Sequence, residues 1–426
     1  MSQRHPSPRN VIVDGMGEIR LRSALQPIFS PAHRKAVGFE ALVRARRVDD
    51  SAVSPAELFH AGLNPSEVAH IDRLCREVHI AHFADSGFES GWLFINLHPQ
   101  ALHLGSKQGI RHTHALMERH GVSPSRVVVE ILEHAIPEEG RLAETLDYYR
   151  KLGCLIALDD FGAGHSNFDR IWRLGVDIVK LDRSMVSNAT RHPKARRVLP
   201  GLVELLHETN CLVLMEGIET EEEALIALES DVDLVQGFHF ARPSLLREAP
   251  QQDIPLLFQE LRNRQDQESV AMSLLHKSLM ERIQKAFLLA CRLLPGESLP
   301  LAVAPLLAIP EIRRCYLINA EGLQIGSNLA RPGAEKPSPF QPLMEAQGAD
   351  WSRRAYFRRA VEKPGQPQVS RPYLSLPDKA MCITLSMAVS TPDGLQVLCS
   401  DMVWNAPSRA LSTGWLLPRD TPPVAS

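Results

Sequence analysis

Residues 155–166 read Leu155-Ile156-Ala157-Leu158-Asp159-Asp160-Phe161-Gly162-Ala163-Gly164-His165-Ser166. Four apolar residues run without a break into two adjacent acids. A strand that is apolar throughout is covered on both faces, as in a parallel sheet flanked by helices. The same device, a short apolar run ending on a charged or polar residue, recurs along the chain. Glu40, Glu130, Glu216 and Glu219 lie at the ends of other such runs, with Asn96 and Lys180 in the same kind of position. In a parallel β/α barrel the C-terminal ends of all strands open onto one face, where such folds keep their chemistry. Carboxylates gathered there repel one another unless something cationic sits among them. An oxygen-rich set suits hard divalent ions such as Mg²⁺ or Mn²⁺.

Working outward from this stretch, strand patterns are expected at 22–28, 37–44, 92–97, 126–132, 155–160, 178–182, 212–216 and 234–238. Helical patterns lie between them. One begins after Ser66, with Val68, Ile71, Leu74, Cys75 and Val78 at 3-4 spacing. Another follows Pro137, and a third follows Thr220, where Thr220-Glu221-Glu222-Glu223 reads as a capping box. Eight strands with intervening helices fit a barrel of about 250 residues. The first two strands are joined by Ser30-Pro31-Ala32-His33, too short for a crossover helix, which needs about a dozen residues. The expected fold is therefore α/β: a modified TIM (β/α)8 barrel whose first strand runs antiparallel. A linking helix and a small α+β domain, with Gly-marked turns at Gly322 and Gly394, are expected to follow. The expected division is a loose lead-in over 1–19, the barrel over 20–250, the linking helix over 251–296, the small domain over 297–410 and a disordered tail over 411–426.

The chain has 426 residues, 44% hydrophobic and 23% charged, with a formal net charge of −3. That balance offers no basic excess for duplex nucleic acid. The seven cysteines are scattered, odd in number and without a CxxC pair, as expected of reduced, buried thiols in a cytoplasmic protein. No run approaches the ~18 apolar residues of a membrane helix, and Met1 to Asn10 lacks a signal-peptide core. No membrane insertion is expected.

The segment Phe39-Glu40-Ala41-Leu42-Val43-Arg44 resembles the signature of the EAL family of cyclic-di-GMP phosphodiesterases. The resemblance continues in order through Gln26-Pro27-Ile28, Ile95-Asn96-Leu97, Glu130-Ile131-Leu132-Glu133, the 159–166 segment, Val179-Lys180-Leu181-Asp182, Glu216-Gly217-Ile218-Glu219 and Gln236-Gly237-Phe238. It covers residues 18–245. A lone Glu-Ala-Leu carries no weight; the ordered set is specific. The resemblance implies that Glu40, Asn96, Glu130 and Asp159 hold one metal ion and that Asp159 bridges to a second, held with Asp160 and close to Glu216. It also implies Glu216 as proton acceptor, Lys180 as the residue holding the attacking water, and Glu133 as a brace for the 162–166 loop. Gln26, Leu42, Arg44 and Gln236 are the implied substrate contacts. Two Mg²⁺ or Mn²⁺ ions about 3.5–4 Å apart would clamp a phosphodiester. Leu132 and Asn167 depart from the small hydroxyl residues common in the family, but neither replaces a matched ligand. The implied activity is hydrolysis of cyclic-di-GMP to linear pGpG by a homodimer; the alternative is a catalytically silent cyclic-di-GMP receptor.

Farther on, Tyr316–Gly322, Trp351 with Arg353, Arg354, Tyr356 and Phe357, and Ile383–Ser386 resemble the PAS- or Cache-like modules that follow EAL domains in YkuI-type proteins. The resemblance implies a regulatory module. Trp351, Arg354, Tyr373 and Asp401 are its candidate ligand pocket, with Arg354 pairing a ligand carboxylate. The competing reading is a ligand-free dimerisation domain.

Overall fold

The computed structural model describes residues 9–13, 17–60, 62–88, 90–98, 106–132, 139–164, 168–245, 253–331, 346–375 and 380–404. The chain divides into two units, 1–267 and 268–426.

The strands of the first unit are β1 (Arg9–Val13), β2 (Gly17–Ser30), β3 (Lys35–Arg47), β4 (Ala52–Val53), β5 (Trp92–Asn96), β6 (Val127–Leu132), β7 (Leu155–Phe161), β8 (Ile178–Leu181), β9 (Leu212–Met215) and β10 (Leu234–Val235). Eight of them close a ring in the order β2-β10-β9-β8-β7-β6-β5-β3 and back to β2. β2 is antiparallel to both its ring neighbours, and the other neighbours are parallel. The reason is the tight turn between β2 and β3, where Arg34 takes a left-handed φ of 53°. The lead-in differs from its expectation as a loose start: β1 pairs with the first part of β2 as an antiparallel hairpin.

The helices α1 (Pro55–Leu58), α2 (Pro65–Asp85), α3 (Ser106–His120), α4 (Glu139–Leu152), α5 (Phe168–Leu174), α6 (Arg183–Arg191), α7 (Pro193–His207) and α8 (Glu221–Glu229) cover the ring. Capping boxes start α2 at Asn64 with Glu67 and α8 at Thr220 with Glu223, which settles where the preceding loops must end. Outward residues such as Val129, Ile131 and Leu158 pack with Leu116, Leu146 and Tyr149 of the helices. Inward residues Ile28, Phe94, Val128, Ala157, Ile178, Leu214 and Leu234 fill the barrel itself.

α9 (Ile254–Leu293) runs from one unit into the next. Its Phe258 and Leu261 belong to the barrel's core and its Ile283 and Phe287 to that of the second unit. Leu256, on the same helix, is exposed in the single chain. α10 (Leu299–Leu307), β11 (Ile312–Asn319), β12 (Gln324–Ala330), α11 (Ala355–Glu362), β13 (Gln368–Val369), β14 (Tyr373–Ser375), β15 (Ala380–Thr391) and β16 (Gly394–Val403) complete the second unit. Its antiparallel sheet runs β12-β11-β16-β15-β13, with β14 also on β15. Alternation along β11 sends Cys315 and Leu317 to the α9 and α10 side, and Tyr316 and Ile318 to the α11 side. Among the described residues no helix is long and apolar enough to cross a membrane. The tail expected to be disordered, 411–426, lies outside the described residues.

Candidate active site

Side chains on a strand alternate, so residues two apart share a face. Asn96, Glu130, Asp159, Lys180, Glu216 and Gln236 each lie two positions beyond an apolar residue that fills the barrel: Phe94, Val128, Ala157, Ile178, Leu214 and Leu234. Gln26 lies two positions before Ile28 because β2 runs the other way. Glu40 lies two beyond Gly38, where a side chain would meet the Phe94 ring at 3.0 Å. The apolar layer is thus a floor, and the polar residues are the next layer toward the strands' C-terminal ends. Registers agree: Gln26 stands opposite Glu40, and Asn96 opposite Glu130.

Lys180 is the centre of that layer, with no exposed surface. Its Nζ lies 2.5 Å from Glu130 Oε1, 2.7 Å from Glu216 Oε1, 3.0 Å from Asp159 Oδ1 and 3.7 Å from Glu40 Oε1. One ammonium therefore faces four carboxylates. Burial lowers its proton affinity, but Asp159, Glu130, Glu216 and Glu40 together hold it well above the ordinary lysine value. Burial, with the neighbouring acids, raises the Glu130 carboxyl well above its usual range against the pull of Lys180. Burial likewise pushes Glu216 up to about 8, opposed by Lys180 and reinforced by Asp159 and Glu40. Glu216 keeps a fifth of its side chain exposed, whereas Glu130 keeps none.

The second turn of contacts orients these acids. Gln236 Nε2 donates to Glu40 Oε2 at 2.7 Å, and the Asp160 N–H donates to Asp159 Oδ1 at 3.0 Å. Asp160 has a left-handed φ of 59°, at an irregularity in the β7–β8 pairing. Such a conformation is uncommon for a residue with a side chain, and local strain of this kind clusters at working sites. Gln26 Nε2 donates to the Ala241 carbonyl at 3.2 Å. Leu42 and Arg44 continue the face of Glu40 along β3; Leu42 is half-buried and Arg44 exposed, its guanidinium donating to the Val43 carbonyl. Partial burial lowers Arg44's proton affinity, and Glu40 counters it. Glu219 does not join the cluster: it pairs with Arg183 at 2.7 Å beside the start of α8. Glu133, His165 and Asn167 lie outside the described residues.

The donor set fits a hard divalent cation. It consists of carboxylate oxygens with one amide, and of the two oxygens of fully buried Glu130, Oε1 faces the Lys180 ammonium while Oε2 has no hydrogen-bond partner among the described residues. As the side chains stand, no three acidic, histidine or cysteine residues among those described are gathered as a metal-holding group.

Two glycines escaped the sequence reading as positioning elements. Gly217, with φ 65°, lies against Arg183. A Cβ on Gly237 would fall 2.0 Å from the Ile218 carbonyl oxygen. Backbone bonds from Ile218 N–H to Gln236 O and from His239 N–H to Ile218 O join the two segments. The available signal was an acid or amide followed at once by glycine, in Glu216-Gly217 and Gln236-Gly237.

The second unit brings its four candidate residues together. The Arg354 guanidinium lies over the rings of Trp351 and Tyr373, 5.9 and 5.6 Å from their centroids. The Tyr373 hydroxyl donates to Asp401 Oδ1 at 3.2 Å, as do Thr384 at 2.8 Å and Tyr316 at 3.4 Å, while Arg314 Nε lies 3.4 Å from Oδ2. Asp401 is thus a buried anchor for Tyr373, and Arg354 is the exposed charge of the group.

Residues 13–243 match the family profile of the EAL domain. An uncharacterized protein of Azorhizobium caulinodans is 33% identical over 226 residues, covering 51% of this chain and 30% of that protein. Cyclic di-GMP phosphodiesterase RocR of Pseudomonas aeruginosa is 34% identical over 152 residues, covering 35% of this chain and 38% of RocR. The chain thus spans well under half the length of either relative. In fold, it is similar to the EAL-domain protein YkuI of Bacillus subtilis, solved with substrate c-di-GMP and calcium. The TM-score is 0.74 at 23% identity, covering 91% of this chain and 97% of YkuI.

Proposed function

The chain belongs to the EAL-domain family, and from that premise we propose that it is a cyclic-di-GMP phosphodiesterase that opens its substrate to linear pGpG. The observation that carries this reading is the convergence of Glu40, Glu130, Asp159 and Glu216 on buried Lys180 at the barrel mouth. Glu40, Asn96, Glu130 and Asp159 would hold one Mg²⁺ or Mn²⁺, and Asp159 and Asp160 a second beside Glu216. Such ions would offset the phosphodiester's charge and make a bound water acidic enough to attack near neutral pH. The chain's own groups do the rest. Glu216, with its raised proton affinity and partial exposure, accepts the proton of the attacking water. Lys180 offsets the carboxylates and orients that water. Gln236 holds Glu40 in place, and Arg44, Leu42 and Gln26 line the substrate's approach. Glu133 belongs to this reading as the brace of the neighbouring loop.

The test is hydrolysis of cyclic-di-GMP by the purified chain with Mn²⁺ or Mg²⁺, beside Glu40→Ala. Formation of pGpG by the wild type, reduced at least about 10²-fold in the variant, is expected. Tight binding without turnover would make the protein a receptor instead.

For the second unit, the proposal is a PAS- or Cache-like regulatory module that takes a small carboxylate at Arg354. The guanidinium held over the rings of Trp351 and Tyr373 supports it, since a cation attracted by ring faces keeps its N–H donors for bidentate bonds. Small organic acids should raise the melting temperature of the full chain, and Arg354→Ala should remove the rise. A panel that shifts neither protein retires this module's ligand. The protein is further proposed to act as a cytoplasmic homodimer, which sedimentation of the full chain checks directly.

A further inference from the structure

α2 carries a buried ion pair that the chemistry above does not use. Asp72 and Arg76, one turn apart, are 4% and 3% exposed, with Asp72 Oδ2 2.5 Å from Arg76 NH1. The other oxygen of Asp72 turns to the segment that follows β5. It accepts the backbone N–H of His98 at 3.2 Å. His98 lies two residues beyond Asn96, on the segment that leaves the end of β5. The His98 ring also stacks on Phe59, 4.8 Å between centroids and 14° between planes. Between Asn96 and His98, the Leu97 N–H donates to the Glu130 carbonyl at 3.0 Å. Residues 96–98 are therefore tied on one side to the backbone of Glu130 and on the other to the helix layer.

Removing two charges from water is expensive, and an apolar pair of similar volume often serves stability as well. A carboxylate that is held by a buried arginine and accepts a loop amide with its second oxygen does something an apolar pair cannot. It sets the path of that loop. The geometry points to Asp72 as a positioning residue: with Arg76 it fixes the backbone on which Asn96 stands, so that Asn96 and Glu130 meet a divalent cation together. This inference rests on the reading of Asn96 and Glu130 as metal ligands.

The test compares two double variants of the full chain, Asp72→Leu with Arg76→Met, and Asp72→Asn with Arg76→Met. Both remove the buried charges, and only the second leaves an oxygen for the His98 amide. Mn²⁺ binding is read directly by electron paramagnetic resonance, without substrate. Groups that orient metal ligands are worth about 10–100-fold in metal affinity. The leucine variant is expected to lose that much and the asparagine variant to bind as the wild type does. Phe59→Leu, which removes the ring stack and leaves the charges alone, is expected to weaken binding in the same direction, and it carries the test if the double variants do not fold. Equal Mn²⁺ affinity in the wild type, the leucine variant and Phe59→Leu overturns the inference while leaving the metal site intact. Equal losses in both double variants overturn it too, because packing would then explain them. A wild type that binds no Mn²⁺ overturns the metal reading itself and this inference with it.

Discussion

At the scale of the residue, four carboxylates meet at the Lys180 ammonium. Asp159 and Asp160 were legible as unusual from their place after an apolar run, since adjacent acids at a strand end are costly without a cation. Their division of labour was not legible. Asp159 turns to Lys180, while Asp160 bends the backbone through a left-handed φ. Glu219 also follows an apolar run, but it lies near the start of α8 and pairs with Arg183. Proton affinity supplies a prediction here. Burial, with Asp159 and Glu40, raises Glu216 to about 8. Below that pH its carboxyl is mostly protonated, and a cation must displace the proton to bind. Mn²⁺ affinity should therefore climb as pH rises toward about 8, by up to about tenfold per unit for one proton released, and flatten above it. Glu216→Gln should shallow the climb. Calorimetric titrations at pH 6, 7 and 8 with one unchanged affinity would dismiss this account.

At the scale of the element, strand ends were readable because β5 to β10 are apolar until they reach the mouth. The expected strand over 155–160 became β7 and that over 178–182 became β8, each within a residue at its ends. β1 and β4 were missed, since short strands on the rim exist only through their pairing with β2 and β3. The turn between Gln236 and the 216–219 segment was also out of reach. It depends on a backbone approach that allows no side chain at Gly237. Gly237→Ala should destabilise the barrel by about 1–3 kcal/mol or more, the usual cost of overpacking, and should disturb Glu216 and Gln236 together. Gly140→Ala is the control, at an exposed position of α4 with open space around the glycine, and should be neutral or stabilising by about 0.5–1 kcal/mol. Matching thermal melts for the two variants would remove Gly237 from the account.

At the scale of the whole molecule, the two units have separate cores. One is built around the barrel and its helices, the other on the two faces of the antiparallel sheet. Calorimetry should show two unfolding transitions, and Mn²⁺ should raise the barrel's transition alone, by about 2.7 kcal/mol at a hundredfold excess over its dissociation constant. A single transition shifted as a whole would join the units into one cooperative block. The sequence by itself determined the α/β class, the eight-strand barrel with its antiparallel start, and which residues stand at the strand ends. Those follow from local matters: apolar runs, the length of a connection, and a capping box at Thr220. Only the tertiary structure decided which of those residues meet. Lys180 finds Glu40, Glu130, Asp159 and Glu216 across four other strand ends, and Asp72 reaches the amide of His98 from a neighbouring helix. Barrel closure brings residues distant in sequence within ångströms, and burial then raises the strength of their charges' interactions. Neither effect is written in any single stretch of chain.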